Sequence, residues 1–315
     1  MTLHDTGIPR RSEAELADLR EEVFMLKREL HAVIVSHNYQ SAEVQRIADF
    51  VGDSLELALA CARLKSETIV FCGVDFMAET AAILNPEATV LLSAAGASCP
   101  MAVMIDDNSL NEWRANYPHA AVVSYVNSTA AVKALSDICC TSANAVAVVE
   151  SLPHEEILFV PDRNLGHYVS TKTSKRMILY PGCCSIHDRL TAEEVMQARR
   201  QYPEARVLVH PECRPEVIEL ADAALSTSQM LRDAGESSAQ TFLIGTEEGL
   251  LHQLRLQNPE KSFHLLSPSL ICVDMKKTNL ESVIETMKQK SNRTTVPEEI
   301  ALKAKKALDR MLALG

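Results

Sequence analysis

The stretch AVIVSHNY, residues 32–39, is an apolar, β-branched run that ends in a histidine and a tyrosine. Two later stretches, VVSYVN at 122–127 and VLVHPE at 207–212, have the same character. They align His37, Tyr125 and His210 at separations of 125 − 37 = 88 and 210 − 125 = 85 residues. A regular spacing of this kind indicates a threefold internal repeat.

Two sets of polar residues and a second set of apolar runs repeat with the same offsets. The polar sets are Asp49, Asp137 and Asp222, and Ser54, Ser142 and Thr227; the runs are IVFCGV, ILFVPD and FLIGTE, which start at residues 69, 157 and 242. Each unit therefore reads as strand, helix, turn, helix, strand, helix, strand. This alternation predicts a largely parallel sheet between two layers of helices.

We expect an α/β protein of three homologous three-layer αβα units with pseudo-threefold symmetry around a central active site. Ligands of parallel sheets gather outside the carboxyl ends of the strands, where the three aligned residues fall. The predicted units span residues 1–100, 101–187 and 188–272, and the C-terminal helices, 273–315, are predicted to pack on the first unit. Residues 12–29 predict an amphipathic helix that leads into it.

A third apolar run in each unit ends in a cysteine, at Cys99, Cys184 and Cys272, with offsets of 184 − 99 = 85 and 272 − 184 = 88 residues. Structural zinc sites usually have paired CxxC ligands, and the chain has no such pair. Three thiolates around a 4Fe-4S cluster would leave one iron open as a Lewis acid. Spacing alone also leaves core packing open, because free cysteines are often small core residues.

Composition narrows the class of protein. The chain has 315 residues, 47% of them hydrophobic, a formal charge of −11 and nine cysteines. We find no basic stripe that would indicate nucleic-acid binding and no run long enough for a membrane span. The start, MTLHDTGIPRRSEAE, lacks the apolar region of a signal peptide, which predicts a cytoplasmic protein whose cysteines are thiols or metal ligands.

Further motifs make the sequence resemble the quinolinate synthase A family of NAD biosynthesis, from about residue 30 to 285. The matching stretches include SHNYQ, CPMA, YVNSTAAVKALSDICCTSANA, PGCCSIHDRLT, VHPECRPEV, STS and CVDMKKTNLESV. The resemblance implies condensation of iminoaspartate with dihydroxyacetone phosphate to quinolinate, phosphate and water. It also implies that the protein is functionally coupled to an enzyme that produces iminoaspartate.

The resemblance implies that Cys99, Cys184 and Cys272 hold a 4Fe-4S cluster with one open iron, and the GxCxxH pattern selects Cys184 over Cys183. The implied substrate-binding residues are His37, Ser54, Tyr125, Val126, Asn127, Ser142, His210, Pro211, Glu212 and Thr227. The three hydroxyl residues among them would equally serve as helix caps. Glu212 is the predicted base, with Tyr39 and His187 as further proton donors or acceptors.

Other interpretations remain open at this point. One is a zinc lyase or aldolase that uses Cys184, His187, His210 and Cys213, and another is a non-catalytic iron-sulfur protein. Lys276 and Lys277 are expected on a solvated face. The chain departs from the family pattern in SAAGAS before Cys99, at Leu225 and at Tyr180, which concerns loop geometry and not the predicted ligands.

Overall fold

The computed structural model describes residues 11–314. The prediction about a signal segment rests largely on residues 1–10, which lie outside this range. Within the described residues, none of the helices combines the length and apolar character needed to cross a bilayer.

The first unit begins with a leading helix whose N-cap, Ser12, forms a capping box with Glu15. Its elements, in order, are α1 (Glu13–Glu29), β1 (Ala32–His37), α2 (Ala42–Gln45), β2 (Phe50–Gly52), α3 (Ser54–Arg63), β3 (Thr68–Cys72), α4 (Asp75–Leu84) and β4 (Thr89–Leu92). The strands pair in parallel in the order β2-β1-β3-β4. Nearly every residue of β1 is buried, because helices cover both faces of the sheet.

The second and third units repeat this order. After a 3-10 helix (Pro100–Val103), the second contains α5 (Asp107–Asn116), β5 (Ala121–Tyr125), α6 (Ala130–Ala134), β6 (Ile138–Cys140), α7 (Ala145–Ser151), β7 (Glu156–Val160), α8 (Arg163–Ser170) and β8 (Arg176–Leu179). The third contains α9 (Ala192–Gln201), β9 (Arg206–Val209), α10 (Pro215–Ile218), β10 (Ala223–Ala224), α11 (Thr227–Glu236), β11 (Thr241–Gly245), α12 (Leu250–Gln257) and β12 (Ser262–Leu265).

The two later sheets have the strand orders β6-β5-β7-β8 and β10-β9-β11-β12, all parallel. The predicted α/β class with three αβα units is therefore confirmed. The sequence pattern missed the short edge strands β2, β6 and β10, which it read as turns. Two or three residues are too few to show a period of two. The predicted unit boundaries stay a prediction.

One contact repeats in every unit with the offsets seen in the sequence. An aspartate after the second helix accepts a hydrogen bond from a backbone N–H of the first strand, and its own N–H donates back to that residue's carbonyl. The pairs are Ile34 with Asp49 at 2.9 Å, Val122 with Asp137 at 2.8 Å and Val207 with Asp222 at 2.7 Å. The repeat therefore extends to individual hydrogen bonds.

The three units form a ring because the fourth helix of each unit, or the residue just before it, contacts the segment that follows the first strand of the next unit. Glu79 of α4 accepts a hydrogen bond from Ala130 N at 2.8 Å, and Asn164 of α8 donates to the Glu212 carbonyl at 3.0 Å. Gly249, at the start of α12, accepts from Gln45 Nε2 at 3.0 Å and closes the ring on the first unit. The carboxyl ends of the three sheets consequently face one another.

The C-terminal segment consists of a 3-10 helix (Met275–Lys277), α13 (Leu280–Gln289), β13 (Arg293–Thr294) and α14 (Glu298–Leu312). The helix α13 packs on α1, and β13 pairs antiparallel with β4, so this part lies on the first unit. The helix α14 instead packs mainly on α6 and β6 of the second unit. The prediction that all the C-terminal helices pack on the first unit is incomplete for α14, which also contacts α3 and α4 but has its apolar face in the core that the first two units share.

Gly249→Ala tests the tightness of the ring. A Cβ at this position would lie 2.5 Å from the carbonyl carbon of Tyr39 and 2.6 Å from its oxygen, so the first and third units would have to move apart. We expect the free energy of unfolding to fall by about 1–3 kcal/mol in chemical denaturation. Gly235→Ala in α11, whose nearest neighbour atom would be 3.9 Å away, is the control and should not destabilise. Equal stability of the two variants would contradict the close packing.

Candidate active site

A cavity of about 190 Å³ lies where the three units meet. Most of the predicted site residues line it, from all three units. They are His37, Tyr39, Ser54, Cys99, Tyr125, Asn127, Ser142, Cys184, His187, His210, Glu212, Thr227 and Cys272. Val126 and Pro211 are buried nearby, but their side chains are not part of the lining. The roles of these residues remain predictions.

The three repeated cysteines are partly buried and line this one cavity. Burial is the main cause that raises the pKa of the Cys99 thiol to about 12, and the negative charge of Glu212 adds to it. Burial likewise raises the pKa of Cys184 well above its usual value and raises that of Cys272. Near neutral pH these thiols are protonated in the metal-free protein, so they become thiolates when a metal ion stabilises the charge.

The remaining cysteines do not line the cavity. Cys183 is partly exposed, and its backbone N–H points to the Met104 sulfur at 3.4 Å. Cys213 is buried in the core of the third unit, with its thiol 3.5 Å from the Gly245 carbonyl. The predicted zinc set therefore lacks its fourth member, because Cys213 points away from the cavity. Cys61, Cys72, Cys139 and Cys140 are buried core residues.

Glu212 is the centre of a buried acid–base cluster. Its Oε2 lies 2.7 Å from His187 Nδ1, and its Oε1 is buried without a hydrogen-bond partner. Burial alone would raise the pKa of Glu212, but the adjacent His210 and His187 hold it well below its usual range. The ligand atoms of Cys184, His187 and Glu212 all lie within 4.8 Å of one another, so these three groups also have the geometry to hold a metal ion.

A chain of hydrogen bonds connects Tyr39 to this cluster. The Tyr39 hydroxyl lies 2.6 Å from Thr246 Oγ1, which lies 2.9 Å from His187 Nε2. If His187 Nδ1–H donates to Glu212, its Nε2 accepts from Thr246, whose oxygen in turn accepts from Tyr39. Burial raises the pKa of Tyr39 well above its usual value, which keeps the phenol protonated and able to donate. Thr246 was not among the predicted residues.

Two histidines at equivalent strand ends share one orientation. The Tyr39 N–H donates to His37 Nδ1 at 3.2 Å, and the Glu212 N–H donates to His210 Nδ1 at 3.3 Å. Burial lowers the pKa of His37 to about 4 and also lowers that of His210, so both rings are neutral near pH 7. Because Nδ1 accepts, the proton is on Nε2, which in His210 lies 3.1 Å from the Ser142 hydroxyl.

The three repeated hydroxyl residues do not act as side-chain caps. Ser54 and Thr227 are the first residues of α3 and α11, whose N-caps are Asp53 and Ser226. Ser142 lies before the N-cap of α7, Asn144. The alternative interpretation as caps is therefore wrong, because the neighbouring residue already accepts the helix N–H groups in α3 and α11. The hydroxyls of all three residues line the cavity instead.

Several residues in or beside the cavity were not assigned a role in it from the sequence. Lys276 forms an ion pair with the buried Glu247 at 2.8 Å and donates to the Tyr39 carbonyl at 2.6 Å, so its expected solvated position is wrong. Lys277 is 46% exposed, in keeping with the prediction. Arg189 lies at the exposed edge of the cavity and places a cation there. An acid at the end of the FLIGTE run was the only sequence signal for Glu247.

Comparisons of this sequence with a family model and with known proteins agree on one family. Residues 21–313 match the family model described as "Quinolinate synthetase A protein". A relative named quinolinate synthase from Methanoregula boonei is 53% identical over 300 residues, which cover 95% of this chain and 99% of the relative. Relatives of the same name from Thermodesulfovibrio yellowstonii and Geobacter metallireducens are each 50% identical, over 93% and 94% of this chain and 97% of each relative.

Proton release on metal binding tests the thiol environment. A thiol whose pKa lies above the ambient pH must lose its proton to bind a metal, so the apparent affinity rises with pH. We expect the metal-free protein to release about three protons per chain when it binds the thiophilic ion Cd²⁺ at pH 7, as measured in weakly buffered solution. Cys99→Ala should release about one fewer proton, and Cys61→Ala, in the core, should behave like the wild type. Binding without proton release would contradict the raised pKa values.

Proposed function

The chain belongs to the quinolinate synthetase A family, and on this premise we propose that it condenses iminoaspartate with dihydroxyacetone phosphate to form quinolinate, phosphate and water. The observation that best supports this proposal is that one cysteine from each unit lines the same cavity as an acid–base cluster. We further propose that the protein acts in the cytoplasm and receives iminoaspartate from a separate enzyme that produces it.

We propose that Cys99, Cys184 and Cys272 hold a 4Fe-4S cluster. The fit rests on three thiols of separate units that line one cavity and require a positive partner to ionise. Three protein ligands leave one iron free, and the bound cluster would supply a Lewis acid there for a substrate hydroxyl or carboxylate. The unpaired Glu212 Oε1 and Asn127 Oδ1 supply further buried polar atoms near the ligands.

Neutral donors of the cavity would bind the substrates. The side-chain hydroxyls of Ser54, Ser142 and Thr227 can donate hydrogen bonds to carboxylate oxygens, and so can the Nε2–H of His37. Ser54 and Thr227 also begin ten-residue helices, whose dipoles favour anions at this end. Arg189 at the edge suits a phosphate group. This arrangement would compensate for the negative charge of the whole chain.

Glu212 is the proposed base. Its low pKa keeps the carboxylate ionised near pH 7, and its free Oε1 is available to accept a proton from the substrate. The Tyr39 hydroxyl is the proposed proton donor, at the other end of the hydrogen-bond chain that runs through Thr246 and His187. A proton taken up by Glu212 can return through His187, whose ring lies between the two.

Two alternative functions predict different results for metal content and activity. A zinc lyase built on Cys184, His187 and Glu212 would be colourless and contain zinc in stoichiometric amount. A non-catalytic iron-sulfur protein would contain the cluster but would tolerate substitutions at Glu212 and Tyr125. Anaerobic purification followed by an absorption spectrum, metal counts and an assay for quinolinate distinguishes all three.

Substitution of single cysteines tests the ligand set. Cys99→Ala, Cys184→Ala and Cys272→Ala should each lose the four-iron cluster and quinolinate formation, because each unit supplies one ligand. Cys183→Ala and Cys213→Ala are the controls and should keep both, since neither thiol lines the cavity. Iron and sulfide counts give the result. A cluster that survives in Cys184→Ala and is lost in Cys183→Ala would show that the ligand is assigned one residue too late.

Glu212→Gln tests the proposed base. The variant keeps the size of the side chain but cannot accept the proton, so we expect quinolinate formation to slow by about 10²–10⁴-fold with the iron content unchanged. Glu79→Gln is a matched control, because Glu79 accepts a hydrogen bond from Ala130 N outside the cavity and an amide oxygen can do the same. Near-normal turnover of Glu212→Gln would exclude Glu212 as the base.

A further inference from the structure

The backbone N–H of each of the three repeated cysteines donates a hydrogen bond to an acidic side chain of its own unit. The acids lie just after the third strand of each unit, as the last residue of the runs ILFVPD and FLIGTE and as the residue that follows IVFCGV. The pairs are Cys99 N with Asp75 Oδ1 at 3.3 Å, Cys184 N with Asp162 Oδ2 at 2.9 Å and Cys272 N with Glu247 Oε1 at 3.0 Å. The same contact is thus built three times.

Each of these acids also accepts a hydrogen bond from the first turn of the fourth helix of its unit, or from the residue just before that helix. The donors are Phe76 N to Asp75 Oδ1 at 2.8 Å, Leu165 N to Asp162 Oδ1 at 2.7 Å and Gly249 N to Glu247 Oε2 at 2.7 Å. Every acid therefore connects the loop of its cysteine to the start of a helix. The same three helices, or the residue just before them, also contact the next unit in the ring.

The contact is kept although the sequence changes around it. Asp162 and Glu247 follow the repeat, with 247 − 162 = 85, whereas Asp75 lies one residue beyond the equivalent position, since 162 − 75 = 87. The third unit uses a glutamate in place of an aspartate. A different residue type and a shifted position that reach the same hydrogen bond indicate that the geometry, and not the local sequence, is what the three units share.

We propose that Asp75, Asp162 and Glu247 are positioning residues that fix the backbone of the three cluster-binding cysteines; this inference rests on the proposed cluster. Each acid accepts two hydrogen bonds at once, one from the cysteine backbone and one from the start of a helix, so it ties the cysteine loop to a rigid element. The three thiols must reach one cluster from three separate loops. A loop that moves would take its thiol away from the other two, so fixing each cysteine backbone pre-organises the site.

The structure supplies a matched comparison within the same chain. Asp137, like Asp162, accepts a hydrogen bond from a backbone N–H of the second unit, from Val122 at 2.8 Å, and its equivalents recur in all three units. Asp137 has no hydrogen bond to a cysteine. Loss of Asp137 therefore tests a repeated carboxylate contact without disturbing a ligand loop.

The experiment measures how fast iron leaves the protein. The cluster-containing proteins are exposed anaerobically to excess iron chelator, and the decay of the cluster absorbance is followed. They are the wild type, Asp162→Ala, Asp75→Ala, Asp75→Asn and Asp137→Ala. Removal of such a supporting contact typically costs about 10–100-fold in metal affinity. We expect loss of iron about tenfold faster or more in both alanine variants at Asp162 and Asp75, with Asp137→Ala close to wild type.

Asp75→Asn should restore slow loss, because a single oxygen, Oδ1, accepts both bonds of Asp75 and an amide oxygen can replace it. Asp75 is also not the N-cap of α4, which is Val74, so this pair of variants tests the proposal even where Asp162→Ala does not fold. Thermal unfolding of the metal-free proteins measures any general loss of stability separately.

Three results would overturn the inference while leaving the proposed cluster intact. The first is that Asp75→Ala loses iron as slowly as the wild type, and the second is that Asp75→Asn loses iron as fast as Asp75→Ala. The third is that Asp137→Ala loses iron as fast as Asp75→Ala. A wild-type protein that binds no iron at all would overturn the proposed cluster, and the inference with it.

Discussion

The meeting of three sheet ends is the constraint on which the rest of the structure depends. In a parallel sheet the strand ends present polar groups and loops at one edge, and here three such edges face one cavity. The contacts of α4, α8 and α12 with the next unit keep them there, through side chains such as Asn164 and through the missing side chain of Gly249. A cavity lined from three directions follows from this closed arrangement.

Burial determines the chemistry of this cavity. Removal of water keeps the thiols protonated, the His37 and His210 rings neutral and the Tyr39 phenol protonated, because each charged form is disfavoured away from solvent. Glu212 is the exception, since the imidazole groups beside it stabilise its negative charge. A site of neutral donors around one carboxylate can bind anions and still accept a proton, which agrees with the family to which the chain belongs.

The three units share the same backbone framework but present different side chains to the cavity. The hydrogen bonds of Asp49, Asp137 and Asp222 are the same in all three units, whereas equivalent strand ends present His37, Tyr125 and His210. The frame therefore brings different side chains to equivalent positions around the cavity. The fused repeat can place a histidine on one unit and a phenol on another, which three identical chains could not do.

The sequence by itself determined the α/β class, the threefold repeat and the convergence of the three cysteines, because period, offset and strand-end position are local properties that survive folding. It missed β2, β6 and β10, the place of α14, and the roles of Thr246 and Lys276, because contacts between distant segments decide these. Only the tertiary structure showed that Cys213 points into a core and that Ser54 and Thr227 are not caps. Those outcomes depend on which side chain a neighbouring unit or residue already satisfies, and no spacing in one segment records that.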